Sequence, residues 1–123
     1  MLTNINPTET EAWKKLQEHF YATKSFAITD YFSKDSERAN RFSIQWNDFY
    51  VDYSKNRISQ ETMDLLLELA DEVNLKENIE KYFGGEIINE TEGRAVLHTA
   101  LREKETSEVF VKGQNVIPEV YKV

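Results

Sequence analysis

Phe42-Ser43-Ile44-Gln45-Trp46-Asn47-Asp48-Phe49-Tyr50-Val51-Asp52-Tyr53 is the stretch whose pattern decides what kind of fold this chain builds. Phe42, Ile44 and Trp46 alternate with Ser43 and Gln45; Phe49, Val51 and Tyr53 alternate with Tyr50 and Asp52. A period of two places successive side chains on opposite faces of a strand. Asn47-Asp48, between the two runs, tolerates the left-handed angles of a two-residue turn. The pattern predicts an antiparallel hairpin over residues 42–53.

Upstream the period is helical. Asn6-Pro7-Thr8-Glu9 has the form of a helix start, with Asn6 as N-cap, Pro7 at the first helical position and Glu9 completing a capping box. Trp13, Leu16 and Phe20 then recur on one face, with Lys14, Lys15 and Glu18 opposite. His19 reads as a partly exposed packing residue, since a general base needs a positioned partner and no neighbour in sequence offers one. A second helical stretch carries Ile28, Tyr31 and Phe32, breaks near Ser33 to Ser36, and resumes through Ala39 to about Phe42.

Downstream, Ser59 opens a helix with Met63, Leu66, Leu67, Ala70 and Val73 as its apolar stripe, and Ile58 is placed to staple onto Met63. Asn74 with Glu77 repeats the N-cap and acid spacing, starting a helix through Leu75, Ile79, Tyr82 and Phe83 that Gly84-Gly85 stops. After a loop from Glu86 to Glu92, the run from Gly93 to Arg102 has a short helical pattern, with Leu97, Ala100 and Leu101 on one side. Val109 and Val111 around Phe110, and a turn at Gly113, predict a weaker strand pair near 108–117. Pro118-Glu119 begins a final helix with Val120 and Val123 on one face. Barely a turn fits before Val123, so the expectation is an element cut short, stable only with something packed on it. The expected class is α+β, mostly helical, with residues 1–123 as a single segment.

Composition excludes several chemistries. The chain has 123 residues, 40% of them hydrophobic, enough for a core. Its 22 acidic residues against 15 basic ones, a net charge of −7, argue against a nucleic-acid surface, which needs clustered Lys and Arg. With no cysteine there is no disulfide, thiolate zinc site, iron–sulfur cluster or Cys nucleophile. His19 and His98 form no metal-ligand pair, and Gly84, Gly85, Gly93 and Gly113 build no phosphate-cradling loop. No run is long and apolar enough to cross a bilayer, and the opening Met1-Leu2-Thr3-Asn4-Ile5-Asn6-Pro7 lacks the regions of a signal peptide. The expected setting is the cytoplasm, without membrane, metal or cofactor, and no complete active site is visible.

One constellation stands out. Arg94, His98 and Arg102, at i, i+4 and i+8, share one face of the expected helix and, beside Thr91, can help hold an anion at exposed amides. The plainer alternative is pairing with acids such as Glu90, Glu92 or Glu105, in surface ion pairs worth about 0–1 kcal/mol. The mixture of Asp52, Ser54 and Lys55 in Tyr50 to Asn56 reads as strand end and turn rather than as a catalytic Ser/Lys set.

Ile88-Asn89-Glu90-Thr91-Glu92-Gly93-Arg94-Ala95-Val96-Leu97-His98-Thr99-Ala100-Leu101-Arg102 closely resembles the hallmark N-terminal segment of the glucose-6-phosphate isomerase (phosphoglucose isomerase) family. Val51-Asp52-Tyr53-Ser54-Lys55-Asn56 resembles a second family stretch at the expected distance upstream, and Val109 to Val123, with Pro118-Glu119-Val120, resembles the next in order. The resemblance covers essentially the whole chain. It implies the N-terminal part of a longer, sugar-isomerase-type α/β enzyme that interconverts glucose 6-phosphate and fructose 6-phosphate in glycolysis and gluconeogenesis. In that family a carboxylate shuttles a proton between C1 and C2 through an enediol, without metal or organic cofactor, in what is usually a cytoplasmic homodimer.

The same resemblance implies that the family's glutamate base, ring-opening histidine and lysine, enediol-stabilising arginine and phosphate loops all lie beyond Val123. No catalytic or substrate-binding residue is therefore carried onto this chain. Arg94 and His98 match the family motif, and with Arg102 they are expected in a supporting shell near the site or subunit contact. A short turn at Asn47-Asp48 and Thr99 in place of an apolar residue are the departures. The 123 residues alone are expected to be inactive and to self-associate through uncovered apolar surface. The alternative is a free-standing acidic α+β module that binds protein partners and catalyses nothing, for which the missing catalytic set speaks. The reading frame after Val123 separates the two.

Overall fold

Thr10, not Asn6, starts the first long helix. Its hydroxyl donates to the Pro7 carbonyl (2.7 Å) and accepts from the Trp13 N–H (3.2 Å), so Pro7–Glu9 closes into a separate 3-10 turn and the α-helix begins at Glu11. The computed structural model describes residues 4–122. Their contacts fall into two compact units, residues 7–69 and a second made of residues 4–6 with residues 70–122.

The first unit holds α1 (Glu11–Thr23), α2 (Ile28–Lys34), α3 (Arg38–Arg41), β1 (Ser43–Trp46), β2 (Phe49–Asp52) and most of α4 (Gln60–Glu72). The break between α2 and α3 falls at Asp35, which takes extended angles, inside the interval expected from the polar run. The hairpin forms as the alternation requires: Trp46 pairs with Phe49 and Ser43 with Asp52, and Asn47 takes the positive φ (48°) of the tight turn. Ser59 caps α4, exchanging hydrogen bonds with Thr62 at both backbone N–H groups.

Two helix faces differ from the expected ones. In α1, Ala12 is fully buried, Trp13, Leu16, His19 and Thr23 are half-buried and Phe20 is 58% exposed, so the inward stripe keeps Trp13 and Leu16 but takes in Ala12, His19 and Thr23 in place of Phe20. In α4, Leu66 and Leu67 are exposed while Leu65 and Leu69 are half-buried. Leucines stand nearly all round this helix, so periodicity had no unique face to select. Within this unit the rotation follows polar ties from α1: His19 to Thr62 (2.7 Å) and Lys15 to Glu68.

The second unit contains α5 (Leu75–Phe83), β3 (Phe110–Val111), β4 (Gln114–Asn115) and α6 (Ile117–Val120). Asn74 is left-handed (φ 54°) and its side chain makes no cap hydrogen bond, contrary to the expected capping box; instead the Asn78 amide donates to the Val73 carbonyl (3.1 Å). Glu77, the other expected capping residue, pairs with Lys81 (2.7 Å). The end of α5 is as expected. Gly85 has φ +77°, Gly84 N–H donates to Glu80 O and Glu86 N–H to Lys81 O, which closes the last turn.

The expected helix from Gly93 to Arg102 does not form. Its only helical part is a 3-10 turn at Ala100–Arg102. Gly93 is left-handed (φ 65°), and Asn89 and Arg94 form an isolated antiparallel bridge through both N–H···O bonds. A bridged turn and a positive φ cannot coexist with a continuing right-handed helix. The weaker strand pair does form, with Lys112 and Gly113 both at positive φ in the two-residue turn.

The short α6 is held by its surroundings. Ile117 is fully buried beside Ala100 and Val109, with Leu97, Val116 and Val120 packed around them. Asn115 Oδ1 accepts from the N–H groups of both Val109 and Ile117, and Tyr121 donates its hydroxyl to the Glu103 carbonyl (2.7 Å). Val123, expected on one face with Val120, lies outside the described residues.

Candidate functional site

The turn that replaces the expected helix builds one wall of a concavity in the second unit. Asn89 organises it: its carboxamide donates to Glu92 (2.9 Å), its oxygen accepts from the Glu92 N–H, and its backbone pairs with Arg94. Glu92 in turn pairs with the Arg94 guanidinium at 2.5 Å. Beyond this node the chain runs without regular structure to His98, which lets Val96 and Leu97 face inward together.

The result is a cavity of about 590 Å³. Its walls come from Ala95, Val96, Leu97, Leu101, Val111 and Val120, and Asn89, Arg94 and His98 are its polar lining. Arg94 and His98 thus share a cavity, although not a helix face. Arg102 does not line it; it is exposed on the 3-10 turn that follows. Arg94 is 69% exposed and its charge is matched by Glu92, the surface pairing weighed above as the plainer alternative.

An apolar cavity with one cation and one imidazole at its edge accepts an apolar or amphipathic group. Among the described residues no group of three His, Cys, Asp or Glu is placed to hold a metal ion.

The first unit holds two polar centres that its sequence did not announce. Arg38 is 2% exposed. Its Nε donates to the Ser54 carbonyl (2.8 Å) and one terminal nitrogen donates to Asn56 O (3.0 Å) and Ile58 O (2.9 Å). The guanidinium lies over the rings of Phe42, Tyr31 and Phe32, at 4.5, 4.8 and 5.6 Å. It clamps the segment between β2 and α4, including Ser54, which is why the Asp52–Ser54–Lys55 run is a structural turn. The Asp52 carboxyl is held below its usual value by hydrogen bonds from the Ser54 hydroxyl and N–H. The aromatic residues Tyr31, Phe32 and Phe42 flanking Arg38 were the available signal.

His19 is the second. Its side chain is 8% exposed, with Nε2 on the Thr62 hydroxyl and Nδ1 3.4 Å from the Glu61 carboxylate. The partners missing from its neighbourhood in sequence arrive from α4. Thr62 is already engaged in the Ser59 cap, so the cluster joins α1 to the start of α4 rather than presenting a free hydroxyl.

Comparison with known structures identifies the architecture. Over 96% of the chain the fold matches a glucose-6-phosphate isomerase from Chlamydia trachomatis, with a TM-score of 0.80 at 22% identity, and the match occupies 24% of that chain. The α+β arrangement of helices with a small antiparallel hairpin is therefore that of the N-terminal part of this isomerase fold. The phosphoglucose isomerase family model matches residues 52–123, and the chain belongs to that family. The glucose-6-phosphate isomerase of Christiangramia forsetii is 53% identical over 122 residues, which is 99% of this chain and 22% of that protein. The chain thus spans about a fifth of the length of the curated relative it matches.

Proposed function

We propose that the chain is the N-terminal region of a glucose-6-phosphate isomerase, and that its role is to support, not to perform, the interconversion of glucose 6-phosphate and fructose 6-phosphate. The observation that carries this reading is the 53% identity over 99% of the chain to a protein of that name. The reaction moves a proton between C1 and C2 through an enediol and needs a positioned base. Losing such a base costs ~10²- to 10⁴-fold in rate. In this reading the acid–base groups belong to the rest of the longer enzyme.

In this reading Arg94 and His98 support the site or subunit contact from the edge of their cavity, and Arg102 does so from the adjoining 3-10 turn. The whole enzyme is a cytoplasmic homodimer acting on sugar phosphate in glycolysis and gluconeogenesis. No helix among the described residues is long and apolar enough to cross a membrane. Against the free-standing interaction module stands the same near-complete match to an isomerase.

The test is a graft in which these 123 residues replace the matching fifth of the Christiangramia forsetii enzyme, assayed by coupled turnover of fructose 6-phosphate. The isolated chain is expected to show no turnover and the graft to isomerise. Turnover by the isolated chain near the rate of the intact enzyme, or a folded graft without activity, refutes the reading.

A further inference from the structure

The alternation that forms the hairpin also sorts its residues by face. Ile44 pairs with Val51 and Trp46 with Phe49, so all four side chains lie on one face, while Ser43, Gln45, Tyr50 and Asp52 occupy the other. The apolar face carries no charge, yet its members are 56%, 52%, 66% and 65% exposed respectively. Trp46 and Phe49 are stacked, with centroids 5.7 Å apart and planes at 20°, so the face ends in a flat aromatic platform. A two-stranded sheet alone is marginal in water and ordinarily needs a packed face.

We propose that this face is a docking surface for the polypeptide that longer family members carry beyond the length shared with this chain. The proposal rests on reading the chain as a region of such an enzyme. The area favours that occupant over a second copy. The four side chains leave on the order of 400–500 Å² open, large for a patch on a soluble monomer. That is little more than half the ~800 Å² per partner of a standard stable interface. Two separate copies meeting on so small a patch would have to offset lost translational and rotational freedom. A covalently continuous neighbour meets the same patch at high effective concentration. About four-fifths of the curated relative's length lies outside the match, ample to supply an apolar helix or strand face.

Hydroxyl-radical footprinting read residue by residue tests this on the whole chain and on the graft described above. Trp46 and Phe49 are expected to be modified rapidly in the isolated chain at every concentration. In the graft their rates should fall about fivefold, as side chains enter the core of an interface. Unchanged rates in a folded graft overturn the proposal. So does protection in the isolated chain that grows with concentration, which assigns the face to a second copy. If the graft is insoluble, the same footprint on the chain mixed with separately produced remainder gives the same two outcomes. Turnover is recorded alongside. Activity without protection sinks the docking surface alone, and protection without activity sinks the functional reading alone.

Discussion

Replacing Arg38 by Met should cost the first unit about 3–4 kcal/mol. The wild-type guanidinium satisfies three carbonyls, but they differ in what happens when it is gone. Asn56 is exposed and Ile58 half-exposed, so their carbonyls can turn to water, whereas Ser54 is 1% exposed and its carbonyl is left orphaned. An orphaned buried acceptor costs about 1–3 kcal/mol. Removing the cation from between Phe42, Tyr31 and Phe32 forfeits about 1–2 kcal/mol more, because the site is desolvated. Met keeps most of the stem volume, which limits cavity formation. The sum is a large share of the ~5–15 kcal/mol that stabilises a domain. Arg38→Lys keeps the charge but has no planar fork to reach both Ser54 and the Asn56–Ile58 pair, and should lose about 2 kcal/mol. Urea unfolding followed by Trp13 and Trp46 fluorescence reports on this unit, since both tryptophans lie within it. A Met variant within ~0.5 kcal/mol of wild type, the range of an ordinary surface change, refutes the account. A Lys variant equal to wild type refutes the fork.

Gly85→Ala should lose about 2–4 kcal/mol in thermal melts, because φ is +77° and a new Cβ would stand 2.9 Å from both Phe110 O and Val109 Cγ1. Gly113→Ala, also at positive φ but with no atom within 4 Å, should lose only about 1 kcal/mol; equal losses would show that the close approach is irrelevant. The hydrogen bond from the Arg41 guanidinium, against a smaller desolvation effect, holds the Asp35 carboxyl below its ordinary 3.8. A depressed folded-state value gives stabilisation that is present above the unfolded value and lost as pH falls through the folded one. Asp35→Asn should therefore melt lower than wild type at pH 6 and converge with it in acid; a gap that persists at pH 2 contradicts the pairing. In the graft, Arg94→Ala should impair turnover more than Lys104→Ala, since Arg94 lines the cavity and Lys104 is exposed in a polar stretch; identical kinetics and melting temperatures would remove Arg94 from the supporting shell. The isolated chain should bind the hydrophobic dye ANS and scatter light as small oligomers that meet through faces other than the hairpin's, since Leu66, Leu67, Ile79 and Phe83 are also among the sixteen large hydrophobic side chains left exposed among the described residues; a sharply melting monomer that ignores the dye would show that these faces need no cover.

What the amino-acid sequence determined by itself is everything whose cause lies within a few residues. The hairpin follows from its period of two and its Asn47 turn, the start of α4 from the Ser59–Thr62 cap, and the end of α5 from Gly85. The family was legible for the same reason, since a contiguous motif is read without knowing what it touches. Local signals misled where two competed. Thr10 displaced Asn6 as cap, and a helix-like spacing from Gly93 to Arg102 yielded to the Asn89–Arg94 bridge. Only tertiary structure decided the rest. His19 becomes an inward, hydrogen-bonded residue because Thr62, 43 positions away, meets it, and Arg38 becomes buried because carbonyls 16 to 20 positions away surround its fork. Arg94 and His98 share a cavity through a turn that no helical wheel draws. The physical reason is common to all three. A polar side chain is buried only where its hydrogen-bonding groups find partners, and those partners come from distant segments whose arrival no local pattern encodes.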